Sequence, residues 1–276
     1  MSVLMDELKA FLLSSARGDL LPWQAQVRAM AQFGLSCGQV EEGALNLNLL
    51  PARYSRNRST LSTDDQGKLF KSVVAVIGCG GLGGYIIEEL ARLGVGTIRA
   101  IDPDVFEEHN LNRQILCGVD QLGKAKVETA RARVAAINPA VVVEPVREAF
   151  SALNGTDLLK GVHAVADALD SIPTRLVLAD VCEALGLPLV HGAIGGWYGQ
   201  ITTQMPGDLT VRKIYGACPN SQGVEKSLGN PAFTPAVVAS LEVAELCKVL
   251  LGHGATLQKR LLFIDLQDMT FHEIDI

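Results

Sequence analysis

The sequence runs to 276 residues, 48% of them apolar and 20% charged, enough to bury a sizeable core and far from the polar profile of disordered chains. Twenty-four basic residues against thirty acidic ones leave a net charge of −6. That balance offers nucleic acid and anionic lipid no general attraction, so any bound anion must be caught locally.

Asp6 and Glu7 lie inside the first apolar turns, unlike the basic-then-apolar plan of a secretory signal. The run VVAVIGCGGLGGYII contains five glycines and ends at Glu88 and Glu89, which does not suit a membrane span. A cytoplasmic protein with no membrane and no nucleic-acid partner is expected. Apolar spacing predicts two short helices, over 2–16 and 22–34, with Pro22 in the first turn of the second and Gly34 as its stop. Residues 1–50 thus read as a small helical extension. The segment RYSRNRST follows, with Arg53, Arg56 and Arg58, and residues 51–76 sum to +3 in an acidic chain; taken alone, this is a solvated basic arm.

From Lys71 the pattern changes to apolar runs separated by amphipathic stretches. Strands are predicted over Val73 to Ile77, Thr97 to Ile101, Val141 to Pro145, Val162 to Ala166 and Leu187 to His191. Helices are predicted from about Leu82 to Leu93, Gly123 to Ile137 and Ile172 to Leu185. Such alternation implies a mainly parallel sheet covered on both faces. The run GAIGGWYGQITT and a terminal pair near 260–275 extend it. Residues 206–233, rich in Pro, Gly and Asn, have no clear periodicity and read as a long surface excursion.

The cysteines Cys37, Cys79, Cys117, Cys182, Cys218 and Cys247 form no CxxC pair. Reduced thiols are the default in a chain of this length without an export signal, and a zinc site of four cysteines is not expected.

In VVAVIGCGGLGG a buried strand runs into Gly78, Gly80, Gly81 and Gly83, a G-x-G-x-x-G motif in its strand-turn-helix context. Absent side chains let backbone approach a phosphate, and the following helix presents free N–H groups to it. Asp102 ends the next strand, where an acceptor for ribose hydroxyls is expected. The fold class is therefore α/β, Rossmann-like and doubly wound, with a mainly parallel sheet and an antiparallel extension. NAD and ATP sites share this geometry. After Asp102 come IDPDVFEEHNLNRQ, LGKAK and DALDSIPTR, which bring an Asn, an Arg, a Gln, a Lys pair and a strand-end acid. These are residue types for phosphate and metal rather than for a nicotinamide pocket.

RYSRNR, GCGGLGG, DPDVFEEHNLNRQ, LGKAKVETA, DALDSIPTR and NPAFTPAVVASLEVAELCKVLLG, in that order, resemble the MoeB/ThiF/HesA family, bacterial relatives of ubiquitin-activating enzymes. The match runs from about Ala52 to the carboxyl terminus, so residues 51–276 would form the adenylation domain, with 206–233 as its crossover loop. The resemblance implies an ATP-dependent adenylyltransferase. Its partner would be a small ubiquitin-like sulfur-carrier protein ending in Gly-Gly, activated at its terminal carboxylate for a thiamine, molybdopterin or related sulfur pathway.

By matching position, Asp102 would hold the ribose, Arg113 and Lys126 the triphosphate, and Asp170 the Mg²⁺. Asp104 falls in the same motif, and Asn110 and Gln114 would complete a polar wall near the phosphates. Lys124 is the alternative to Lys126, and Arg175 either serves the site or pairs structurally with a carboxylate. Arg56 matches an arginine that, in this family, reaches into the partner subunit's site, which implies a homodimer with two composite sites. His109, His163 and His191 read as core or loop residues, and Cys79 as packing within the cradle.

The chain also departs from the family pattern. The stretch VRKIYGACPN stands where the first pair of zinc cysteines would fall, and no cysteine follows Leu250, so no zinc is expected. Ser171 stands after Asp170 where relatives typically have Asn. Cys218, in the excursion with Lys213 and Lys226, is either a thioester or persulfide nucleophile or a bystander. Two other classes remain open at this point: a non-catalytic scaffold that uses the nucleotide fold to bind a protein, and an NAD-dependent oxidoreductase resting on the glycine motif alone.

Overall fold

Ser36 and Ser62 each begin a helix that apolar periodicity does not reveal. The Ser36 hydroxyl accepts the Gln39 N–H while the Gln39 side chain accepts the Ser36 N–H, and Ser62 with Asp65 repeats the arrangement. Each reciprocal pair satisfies two otherwise orphaned donors. The computed structural model describes residues 2–217 and 225–276. Its amino-terminal layer is α1 (Ser2–Ser15), β1 (Leu20–Leu21), α2 (Trp23–Phe33), α3 (Cys37–Asn46) and β2 (Leu50–Pro51). Two of these helices match the sequence reading, and Gly34 does stop α2 with φ 66°. The third, α3, corrects it. So does α4 (Thr63–Lys71), which lies inside the expected basic arm. This layer closes over its own apolar cluster of Leu8, Leu12, Leu21, Val40 and Ala44, and β1 pairs parallel with β2.

The remaining elements are β3 (Val73–Ile77), α5 (Gly81–Leu93), β4 (Thr97–Ile101), α6 (Lys126–Ile137), β5 (Val142–Val146), α7 (Gly155–Leu158), β6 (Ala164–Asp167), α8 (Ile172–Leu185), β7 (Leu189–Gly195), β8 (Tyr198–Gln204), α9 (Thr210–Tyr215), α10 (Glu225–Leu228), α11 (Phe233–Leu251), β9 (Arg260–Asp265) and β10 (Thr270–Asp275). One eight-stranded sheet results, in the order β10-β9-β8-β7-β6-β3-β4-β5. The five strands from β7 to β5 in that order are parallel, and β8, β9 and β10 add on antiparallel.

Strand β3 shows why both faces are covered. Val74 and Val76 point into one apolar layer with Ile86, Leu90 and Val238, while Ala75 and Ile77 point into another with Leu178 and Cys182. A strand buried on both sides reads as the unbroken apolar run VVAVI. The start of the excursion is helical where its composition implies no regular structure: Val211 on α9 has no exposed surface and packs in the second layer. No described helix is long and apolar enough to cross a membrane.

Candidate active site

The chain leaves β3 toward β4 and β5, then returns to lay β6 on β3's other side. Where strand order reverses, the connections diverge and leave a crevice at the carboxyl ends of the strands. Here that crevice is a cleft of about 390 Å³, lined among others by Gly78, Gly80, Gly81, Arg113, Lys126 and Asp170.

The glycine turn forms its floor. Gly78 has φ 93°, and a Cβ there would lie 2.6 Å from the Ala168 carbonyl oxygen, so only glycine lets β3 turn out of the sheet here. Gly80 precedes α5 with no side-chain cap, leaving the first N–H groups of that helix for a ligand. Gly83 has a different duty. It does not line the cleft; a Cβ there would sit 1.8 Å from the Gly78 carbonyl oxygen, so it permits α5 to pack on the turn. Cys79 is fully buried, and burial pushes its thiol far above the ordinary range, which is the behaviour of a packing residue.

Asp102 lies across from the turn, 5% exposed. Its carboxylate accepts the Cys79 N–H at 2.7 Å and the Asp104 N–H at 2.8 Å, locking the end of β4 to the glycine loop. Lys126, at the start of α6 and equally buried, places Nζ 3.0 Å from Asp104 and 3.9 Å from Asp102. Lys124 does not line the cleft. Arg113 holds the facing wall and, among the described residues, donates to neutral acceptors, the His109 carbonyl at 3.1 Å and the Asn112 side chain at 2.8 Å. Its charge is thus left to the cleft. Beside it Gln114 is 6% exposed, packs on Gly80, and has an Oε1 with no hydrogen-bond partner in the described structure. Asn110 stands apart, its side chain accepting the Glu107 N–H at 3.0 Å in a neighbouring pocket.

Asp170 is exposed at the cleft rim, on the turn after β6. Ser171, the departure from the family pattern, caps α8 through Thr174, whose N–H and hydroxyl lie 3.4 and 3.0 Å from the Ser171 hydroxyl. The turn itself is held from beneath. Asp167 accepts the Leu169 N–H at 3.0 Å, and Arg175 donates to the Leu169 carbonyl and to the Tyr215 hydroxyl. His191 joins them, Nδ1 to Asp167 at 2.7 Å and Nε2 to the Tyr215 hydroxyl at 3.0 Å.

Burial works to raise the Asp167 pKa, yet the Arg175 charge and the His191 and Leu169 hydrogen bonds bring it below the usual carboxylate value. Burial holds His191 below the usual imidazole value. The pair is therefore anionic Asp167 with neutral His191, its Nδ1–H donating to the carboxylate and its Nε2 accepting from Tyr215. His191 does sit in the core, but as a member of this chain of polar groups. Asp167 and Tyr215 carried no local sequence signal, because their partners are set by sheet register and by α9.

Two candidates from the sequence lie elsewhere. Arg56 is exposed outside its own chain's cleft and has no hydrogen bond or ion pair among the described residues. The expected solvated arm is corrected at its neighbours: Arg53 is engaged by Glu41, Gln26 and Asn138, and Arg58 by Asp19. Cys218 lies outside the described residues. Among those described, no group of three or more His, Cys, Asp or Glu is placed to hold a metal.

Residues 54–276 match the ThiF family. The chain is 40% identical over 226 residues to the SAMP-activating enzyme E1 of Haloferax volcanii, covering 80% of this chain and 84% of that protein. It is 34% identical over 234 residues to the sulfur carrier protein adenylyltransferase of Thermus thermophilus, covering 81% and 86%. Among solved structures, E. coli MccB crystallised with ATP has a TM-score of 0.68 at 21% identity, over 91% of this chain and 82% of that one; this likeness speaks to fold.

Proposed function

The chain belongs to the ThiF family, and on that footing we propose that it is an ATP-dependent adenylyltransferase acting on the carboxyl-terminal glycine of a small ubiquitin-like sulfur-carrier protein. The observation that carries the reading is the pairing of a glycine floor with two cations, Arg113 and Lys126, in one cleft at the sheet's switch point. A triphosphate fits this donor set. Backbone N–H groups of α5 and the two side chains would offset its charge, and the Gln114 side chain lines the same cleft, where its amide N–H groups can donate to a phosphate oxygen.

In the reaction, a carboxylate oxygen of the carrier tail attacks the α-phosphorus of ATP and the bond from that phosphorus to the bridging oxygen of the β-phosphate breaks. An acyl-adenylate forms and pyrophosphate departs with the electron pair. The tail carboxylate is already ionised at neutral pH, so no base is required of the protein. What the protein must supply is positive charge near the equatorial oxygens and a fixed approach. Asp170 fits a Mg²⁺ bound through one carboxylate and substrate phosphates, and when bound the ion would neutralise charge on the phosphates. Asp102 takes the ribose hydroxyls, with Asp104 beside it.

The assembly is a homodimer in which Arg56 of one protomer enters the other's cleft. That placement gives a purpose to an exposed arginine with no partner in its own described chain. The enzyme works in the cytoplasm, with residues 1–50 as an extension to the adenylation unit of 51–276. Carrier-dependent exchange of pyrophosphate into ATP tests the reading: wild type should exchange, and Arg113→Ala or Asp170→Ala should abolish exchange in folded protein. Full exchange by both variants would overturn the assignment of these residues.

A further inference from the structure

We infer that the amino-terminal extension is the device that holds Arg56 in position for the neighbouring subunit's cleft, an inference that rests on the reading of Arg56 given above. Between β2 and α4 the chain around Arg56 forms neither an α-helix nor a strand, only a short 3-10 turn over Ala52–Tyr54, yet it is fastened on both sides.

Upstream, Leu20 pairs with Leu50 and Leu21 with Pro51, and the Leu50 N–H donates to the Asp19 carbonyl at 2.8 Å. Arg53 then donates to the Glu41 carboxylate, to Gln26 Oε1 at 2.6 Å and to Asn138 Oδ1 at 2.9 Å, with its guanidinium 5.2 Å from the centre of the Trp23 ring. Tyr54 is 1% exposed; its hydroxyl donates to Glu41 at 2.8 Å and accepts from Asn138 at 2.7 Å. Downstream, Arg58 pairs with Asp19.

Asp19, Trp23, Gln26 and Glu41 all belong to the extension, while Asn138 lies at the end of α6 and also donates to the Ala91 carbonyl of α5. The network therefore ties the extension, the 50–58 segment and the nucleotide-binding core to one another. Arg56 stands between the two fastened stretches with its side chain exposed. An arginine on a free loop would lose backbone and rotamer entropy each time it docked. Fastening its backbone removes the first of those costs, so Asp19 and Glu41 act as positioning residues for the Arg56 charge.

The test uses the full chain and titrates MgATP calorimetrically into wild type, Arg56→Ala, Asp19→Asn and Glu41→Gln, with each variant also combined with Arg56→Ala. Losing one charge-assisted contact predicts about a 10- to 100-fold weaker Kd for Arg56→Ala. Breaking the exposed Asp19 pair predicts about a 2- to 5-fold weakening, and Glu41→Gln, which touches Arg53 and Tyr54 together, a larger one. Both effects must vanish in the Arg56→Ala background, where there is nothing left to position; a purely structural role would persist there. Should Glu41→Gln fail to fold, the exposed Asp19→Asn decides alone. If Arg56→Ala weakens binding while the positioning variants bind like wild type, this inference fails and the dimeric site survives. If Arg56→Ala binds like wild type, the composite site itself fails.

Discussion

The Nδ1 of His191 lies 2.7 Å from Oδ2 of Asp167, and neither side chain has exposed surface. Both groups are held below their ordinary pKa, His191 by burial and Asp167 by Arg175 and hydrogen bonds that outweigh its burial. The unfolded chain therefore takes up protons that the folded one refuses. The His191 contribution is complete above its ordinary value of 6.5 and declines as pH falls below it, with Asp167 following below 3.8. Buried carboxyls whose pKa is raised oppose this trend, so the His191 contribution reads as a difference: from pH 6.5 to pH 5 the urea midpoint of wild type should fall relative to that of His191→Gln, which can still donate to Asp167. Parallel pH profiles of the two proteins would contradict the neutral assignment.

Glu242 on α11 predicts the opposite trend. It has no exposed surface, and neither carboxylate oxygen has a partner in the described structure. Burial, joined by the Asp167 charge, raises its pKa well above 4.5. The unfolded state releases this proton first, so the cost to the fold grows as pH rises from 4.5 toward the folded pKa. Glu242→Gln should stabilise the protein, by more at pH 8 than at pH 5, in thermal melts. At Gly192 a Cβ would lie 2.3 Å from this carboxyl carbon, so any larger residue there must displace the Glu242 side chain.

The glycines of the turn should separate fold from binding. Gly83→Ala and Gly78→Ala both drive a Cβ into backbone, at 1.8 and 2.6 Å, and should cost about 1–3 kcal/mol or more in urea unfolding. Gly80→Ala meets only the Gln114 side chain at 3.4 Å. It should leave the urea midpoint near wild type while weakening MgATP binding, because Gly80 lines the cleft and the added methyl presses on Gln114 there.

A composite site predicts rescue by mixing. Arg56→Ala and Arg113→Ala homodimers should each be inactive. A mixed dimer joins Arg56 of one protomer to Arg113 of the other in one of its two sites, so random reassortment should restore about a quarter of wild-type exchange. No gain over the separate variants would place both arginines in the same chain's site or remove Arg56 from it.

The strand-helix order and the glycine floor were legible because each rests on local pattern: β3, β4 and α8 lie where the sequence reading placed them, with the same bounds for the two strands. The helices α3 and α4 were not, since CGQVEEGALN contains two glycines and TDDQGKLFK is largely polar. Their signal was instead the paired caps Ser36 with Gln39 and Ser62 with Asp65. Arg113, Gln114, Lys126 and Asp170 were named from sequence and line one cleft. Asp167, His191 and Tyr215 were not assigned to it, because the two gaps between them are 24 residues each and only the fold closes them. Glu242 was visible as an acid inside an apolar run, but its neighbours across the sheet were not.

Intact-mass spectrometry of the acceptor reads adenylyl transfer to a protein tail directly. The full chain is incubated with MgATP, inorganic pyrophosphatase and a ubiquitin-like sulfur carrier ending in Gly-Gly. The carrier's mass should rise by one adenylyl group, a gain that depends on Arg113 and is lost when the final glycine is removed. A carrier that stays unmodified while the chain cleaves ATP to ADP and phosphate would contradict adenylyl transfer.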